Sequence, residues 1–167
     1  LRGVVQDVIN SVSADSLMAH VVALSQYPGG EPRSRYVQRE ECLTEAKVYI
    51  MDRLREFLPE RAVVDTQRFM LNGYTCAEGT EGPFVQYPAD NVIGVLPGTG
   101  RLSGCYVICA HYDAIAGNTP EDDYPYPITN PPYFWWCENP APGADDNATG
   151  VAVVLEAARA LSDLTFP

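Results

Sequence analysis

Two short clusters in this 167-residue chain hold side chains that could do chemistry. His111-Tyr112-Asp113 follows the apolar run Tyr106 to Ala110, and Gly143-Ala144-Asp145-Asp146-Asn147-Ala148-Thr149-Gly150 leads into a segment of helical periodicity. An imidazole nitrogen and a carboxylate oxygen suit zinc, and a second carboxylate two residues after the histidine can orient its ring. His111 and Asp146 are therefore the candidate metal ligands, with Asp113 in the supporting role. A second reading uses the same residues. Asp145, Asp146, Asn147 and Thr149 all suit a helix start, where unpaired N–H groups and the helix dipole favour acceptors and negative charge. Taken alone, this cluster reads more readily as caps, and His111 alone as a strand-end histidine. Asn147-Ala148-Thr149 also forms a glycosylation sequon, but a glycan there would obstruct the crevice, so it is read as helix-start chemistry.

For the two clusters to meet, the intervening elements must return the chain to one place, and open α/β sheets do this beyond the carboxyl ends of their strands. Ser13 ahead of Ala14 to Ser25 predicts a capped helix with Leu17, Val21 and Leu24 on one face. His20 lies on it and reads as a boundary residue, since no other ligand type stands at metal spacing. Glu41 to Leu58 places Leu43, Ala46, Ile50, Leu54 and Phe57 at helical spacing, and Pro59 ends it. Val63 to Leu71 predicts a strand, Asn72 to Gly82 a Gly-rich loop and Asn91 to Leu96 a second strand. Pro97-Gly98-Thr99-Gly100 then turns into a third strand, Cys105 to Ala110, paired antiparallel with the second. Being apolar at nearly every position, the third strand should be covered on both faces. Gly117 to Pro142 is an insertion carrying Tyr124, Tyr126, Tyr133, Phe134, Trp135 and Trp136, either a pocket wall or an ordered excursion. Thr149 to Ser162 predicts the last helix, with Val151, Val154, Leu155, Ala158 and Leu161 inward. Helix and strand alternate, which indicates an α/β fold class.

Charge and composition narrow the partners. The formal net charge is -11, with Lys47 the sole lysine, so nucleic acid and anionic membrane surfaces are excluded as natural partners. No apolar run approaches the ~18 residues of a bilayer span. The cysteines are Cys42, Cys76, Cys105, Cys109 and Cys137, without a CxxC pair, so a thiol zinc knuckle is unsupported. On one extended strand, Cys105 and Cys109 would lie roughly 13 Å apart and could not bridge each other. In an oxidising compartment Cys42 can pair with Cys76, leaving Cys109 a buried free thiol.

Three segments in order carry a resemblance. Asn91-Val92-Ile93-Gly94-Val95-Leu96-Pro97-Gly98, Val107-Ile108-Cys109-Ala110-His111-Tyr112-Asp113 and Pro142 to Gly150 resemble the co-catalytic zinc aminopeptidases, metallopeptidase clan MH, peptidase family 28. The resemblance spans roughly Ser34 to Leu161, with Ser34-Arg35-Tyr36 its weaker N-terminal part. It implies an α/β fold with a mixed, mostly parallel sheet and helices on both faces. It divides the chain into a helical region, 1–35, and the N-terminal half of a catalytic domain, 36–167. It further implies that His111 binds one of two zinc ions, that Asp146 bridges both, that Asp113 holds the imidazole, and that the Asp146-Asn147 peptide is cis.

The family hydrolyses N-terminal peptide bonds with zinc-activated water and a glutamate base. That Glu-Glu pair and a later Asp and His have no counterpart here. Glu40-Glu41 is no substitute, standing at a helix start where acids are common. The isolated segment is thus expected to hold zinc weakly and hydrolyse nothing, and to self-associate or pair with the missing C-terminal half through uncovered apolar edges. Its expected partner in the full protein is a peptide substrate, and its expected setting secreted or periplasmic. Two alternatives share the fold: a glutaminyl-cyclase-like acyl transferase with one zinc, and a non-catalytic interaction module.

Overall fold

The computed structural model describes residues 2–37, 40–77, 80–100, 104–114 and 140–165. Four helices are described: α1 (Arg2–Ser11), α2 (Ala14–Ser25), α3 (Glu40–Phe57) and α4 (Thr149–Leu161). Two strands, β1 (Val63–Ala77) and β2 (Thr80–Val95), precede a single π-helical turn, Ala144–Ala148, which runs directly into α4. Ser13 caps α2 as its type predicts, its hydroxyl accepting from the Ser16 N–H at 3.2 Å.

The core lies where α2, α3 and α4 meet. Leu24 comes from α2, Ala46, Ile50 and Leu54 from α3, and Ala148, Val151 and Leu155 from the π turn and α4. Val64 and Val92 bring one end of the hairpin against this cluster, and Ala110 and Tyr112 bring the segment before the first candidate ligand. A fully buried Leu stabilises by ~1.5–3 kcal/mol relative to exposure, so Leu24 and Leu155 alone contribute at the scale of a whole ion pair.

The α/β content stands, but the described residues hold a two-stranded antiparallel sheet, not a mostly parallel one with helices on both faces. The cause lies in the connection. Parallel neighbours need a crossover of a dozen residues or more, whereas β1 and β2 are joined by residues 78–79 alone. The ladder runs from Val63 opposite Val95 to Ala77 opposite Thr80, with an irregularity between Tyr74 and Cys76. It absorbs most of the predicted Gly-rich loop, since Gly73 simply faces Val85.

The predicted third strand is also corrected. Residues 105–110 carry no sheet pairing among the described residues, and Tyr106, Val107 and Ile108 are exposed, Tyr106 completely. Cys109 is an exposed free thiol, as is Cys105, and not a buried one. An apolar run reports that both faces want cover; it does not supply the neighbour. The aromatic insertion lies largely outside the described residues. His20 is no boundary residue: it is 4% exposed, bonded through Nδ1 to the Tyr49 hydroxyl at 2.7 Å and packed edge-on to Tyr49 and Phe57. Burial lowers its pKa. Among the described residues no single helix is long and apolar enough to cross a membrane.

One charged group ties the helices together. Glu156 of α4 is 2% exposed and accepts from the Ser13 N–H at 2.7 Å and the Ser16 hydroxyl at 2.9 Å. Arg159 bonds the same carboxylate at 2.7 and 2.9 Å and also reaches the Ser11 carbonyl. An acid at the start of α2 satisfies donors that the helix itself leaves unpaired. These bonds, Arg159 first, hold the Glu156 pKa down to about 2. A depressed folded-state pKa stabilises above the unfolded value and loses that contribution as pH falls through the folded one. Glu156→Gln should therefore cost about 2–3 kcal/mol at pH 7, and the wild-type advantage should shrink between pH 4.5 and 2, as urea unfolding at several pH values will read.

Candidate metal centre

The first candidate ligand is placed by the residue beside it. Tyr112 turns inward at the edge of the core, and its hydroxyl donates to the Asp90 carbonyl of β2 at 2.7 Å. Burial, with the charges of Asp90 and Asp113, pushes the Tyr112 pKa up to about 12. The Asp90 carboxylate in turn takes Lys47 of α3 at 2.8 Å and Arg68 of β1 at 3.0 and 3.2 Å. Those two cations hold its pKa down to about 2. Lys47, the chain's one lysine, thus locks helix to hairpin and steadies the strand that anchors Tyr112. Neighbours of an extended segment face opposite ways, so anchoring Tyr112 inward turns His111 and Asp113 outward.

The second candidate ligand is placed by the π turn. It opens at Gly143, which has φ +52°, where a Cβ would come within 2.5 Å of the Ala114 Cβ and 2.7 Å of an Arg35 guanidinium nitrogen. The Gly143 carbonyl accepts from the Ala148 N–H at 2.9 Å to close the turn. Within it Asp146 and Asn147 leave helical geometry, and the peptide bond between them is cis, as the resemblance implies. Asn147 then serves as the helix-start acceptor, its Oδ1 taking the Gly150 N–H at 2.9 Å. Gly150 is needed for this, because a Cβ there would collide with the Asn147 amide. Thr149 donates to the Asp145 carbonyl at 2.6 Å. The capping reading is therefore right for Asn147 but not for Thr149, whose hydroxyl donates instead of accepting, and the Asp146 side chain, 86% exposed, is free to face elsewhere.

It faces His111. The imidazole Nε2 lies 2.9 Å from Asp146 Oδ1, so two residues thirty-five positions apart meet at one point. On the other side of the ring, Nδ1 donates to the Asp113 main-chain carbonyl at 3.1 Å, while the Asp113 carboxylate stands at 3.5 Å. The hydrogen bond from the ring to Asp113 thus goes to its backbone, with the carboxylate further off. A carbonyl only accepts, so Nδ1 carries a proton, and Nε2 is the atom turned to Asp146. Two donors on a tetrahedral zinc ion at ~2.0–2.2 Å stand roughly 3.4 Å apart, so this pair matches in type and would open by about half an ångström to take the ion between them. No group of three or more His, Cys, Asp or Glu that could hold a metal ion occurs among the described residues. The pair fits one side of a zinc shell and leaves the rest to be supplied.

Sequence reasoning missed Arg35 and Asp90. Arg35 is completely buried beside the π turn, its guanidinium donating to the Gly143 carbonyl at 2.8 Å and the Leu24 carbonyl at 3.2 Å. Only its presence in the Ser34-Arg35-Tyr36 match hinted at a role. Asn147→Ala should destabilise α4 by about 1 kcal/mol while Asn147→Asp, which keeps an acceptor, should cost far less; thermal unfolding of both variants checks this.

Residues 91–166 match the family model described as Peptidase family M28, a segment of rather under half the chain. No solved structure matches the chain. The match begins in β2, crosses both candidate clusters and runs through α4, and it supports a peptidase-type function in general. The part of this chain that brings His111, Asp113 and Asp146 together lies within the segment that matches the Peptidase family M28 model.

Proposed function

We propose that this chain contributes to a zinc-dependent peptidase, with His111 and Asp146 as metal ligands and Asp113 orienting His111. The observation that carries the reading is the 2.9 Å approach of His111 Nε2 to Asp146 Oδ1 on a segment matching Peptidase family M28. Both side chains are open to solvent, 53% and 86% exposed, so a cation and a substrate can reach them.

Mechanistically, each residue has a task set by its surroundings. Asp113 fixes the Nδ1–H tautomer, which leaves the Nε2 lone pair to face a cation. Asp146, relieved of capping by Asn147, offers both oxygens and is the donor able to bridge two ions. Zinc bound there would polarise a scissile carbonyl and make water a competent nucleophile near neutral pH. A general base must still take the water proton, and none of the residues described at this site holds that position. The proposed substrate is a peptide read from its N-terminus, the two-zinc aminopeptidase form being the reading closest to the Asp145-Asp146-Asn147-Ala148-Thr149 sequence.

Zinc titration of the chain by calorimetry, alongside hydrolysis of an aminoacyl anilide, tests this. Binding should be weak, because two protein donors are about half of a zinc shell, and His111→Ala and Asp146→Asn should each abolish it. No turnover is expected from the chain alone. Zinc binding that survives both substitutions would refute the ligand assignment, and a chain indifferent to zinc would favour the non-catalytic module.

A further inference from the structure

One residue touches both ends of the segment that separates the two candidate ligands. The Arg35 N–H donates to the Ala141 carbonyl at 2.9 Å, and the Arg35 carbonyl accepts from the Ala114 N–H at 2.9 Å. Ala114 directly follows Asp113, and Ala141 stands shortly before the π turn. Ser34 adds a third link, its hydroxyl accepting from the Ala141 N–H at 3.3 Å. The Arg35 side chain reaches past these bonds to the carbonyl of Gly143, the one that also closes the turn carrying Asp146.

We infer that Arg35 is a positioning residue for the metal pair, its main chain and guanidinium together clamping the two segments that present His111 and Asp146 to each other. Three observations support this. First, Arg35 is completely buried, and its Nε finds no hydrogen-bond partner among the described residues, a cost accepted at this one place. Second, Tyr36, Ala114 and Ala141 form a small apolar cluster around the clamp, separate from the main core. Third, a Cβ at Gly143 would meet the Asp146 carbonyl, the Ala114 Cβ and an Arg35 guanidinium nitrogen, so the π turn, the residue after Asp113 and the guanidinium close on one place. Burial lowers the Arg35 pKa, and the nearby carboxylates of Asp113 and Asp146 offset part of that by favouring the charged guanidinium. Lysine cannot replace it, because a single ammonium does not fork to the carbonyls of Leu24 and Gly143 together.

The inference rests on the ligand reading for its consequence in zinc affinity, but its geometry is testable without metal. The chain has two histidines, so the ring nitrogen resonances of a histidine-labelled sample resolve His111 from His20. Asp146→Asn should shift the His111 Nε2 resonance in the wild-type background. In Arg35→Lys and Arg35→Met backgrounds that response should fall below about half its size, while His20, buried against Tyr49, keeps its resonance and reports an intact core. Should Arg35→Met fail to fold, Arg35→Lys still decides, since it keeps the charge and removes the fork to Leu24 and Gly143. With zinc added, Arg35→Lys should weaken binding about tenfold with His20 unmoved. A full Asp146 response in Arg35→Lys overturns the inference, as does its loss only when His20 is lost too. A wild-type chain that takes no zinc yet shows the coupled rings sinks the metal reading and leaves the clamp standing.

Discussion

The geometry of the site depends on how the chain closes the base of a long excursion. Residue 35 accepts from Ala114 and donates to Ala141, so both ends of the segment between Asp113 and the π turn are fastened to one backbone position. Backbone groups buried away from water must be paired, and here that obligation also fixes a distance. With the two ends held, His111 and Asp146 need only their local conformations to meet, one set by an inward Tyr112 and the other by the irregular turn after Gly143.

Around this closure the fold uses charge sparingly and mostly at joints. Glu156 fastens α4 to the start of α2, and Asp90 gathers Lys47, Arg68 and Tyr112 where α3 meets the hairpin. Each carboxylate is well buried and fully engaged, which is the condition under which a buried charge stabilises instead of costing. The exposed ion pairs along α3, by contrast, contribute little. The arrangement suits a strongly acidic chain, whose few cations are placed where they do most.

Much of this was legible beforehand. Helical periodicity located α2, α3 and α4 to within a residue or so, and Ser13 and Pro59 marked a start and a stop. The two site clusters were legible only with the family resemblance beside them, since residue type alone reads more readily as helix caps and a strand-end histidine. The hairpin's reach was not, because glycines suggested a loop where paired backbone simply tolerates them. The exposed segment at Tyr106 to Ile108 was misread for another reason: apolarity states a need for cover and says nothing about which partner meets it. Arg35 escaped because a buried cation bonded to carbonyls leaves no periodic mark in sequence.

The division between Asp146 and its successor has a wider consequence. Asn147 carries an amide with no proton to gain or lose over the physiological range, so the entrance to α4 is held by a group indifferent to acidity and to bound ions. The adjacent carboxylate is thereby released from architecture. Ligand preference at that spot can be retuned, by nature or by design, without unravelling the helix that follows.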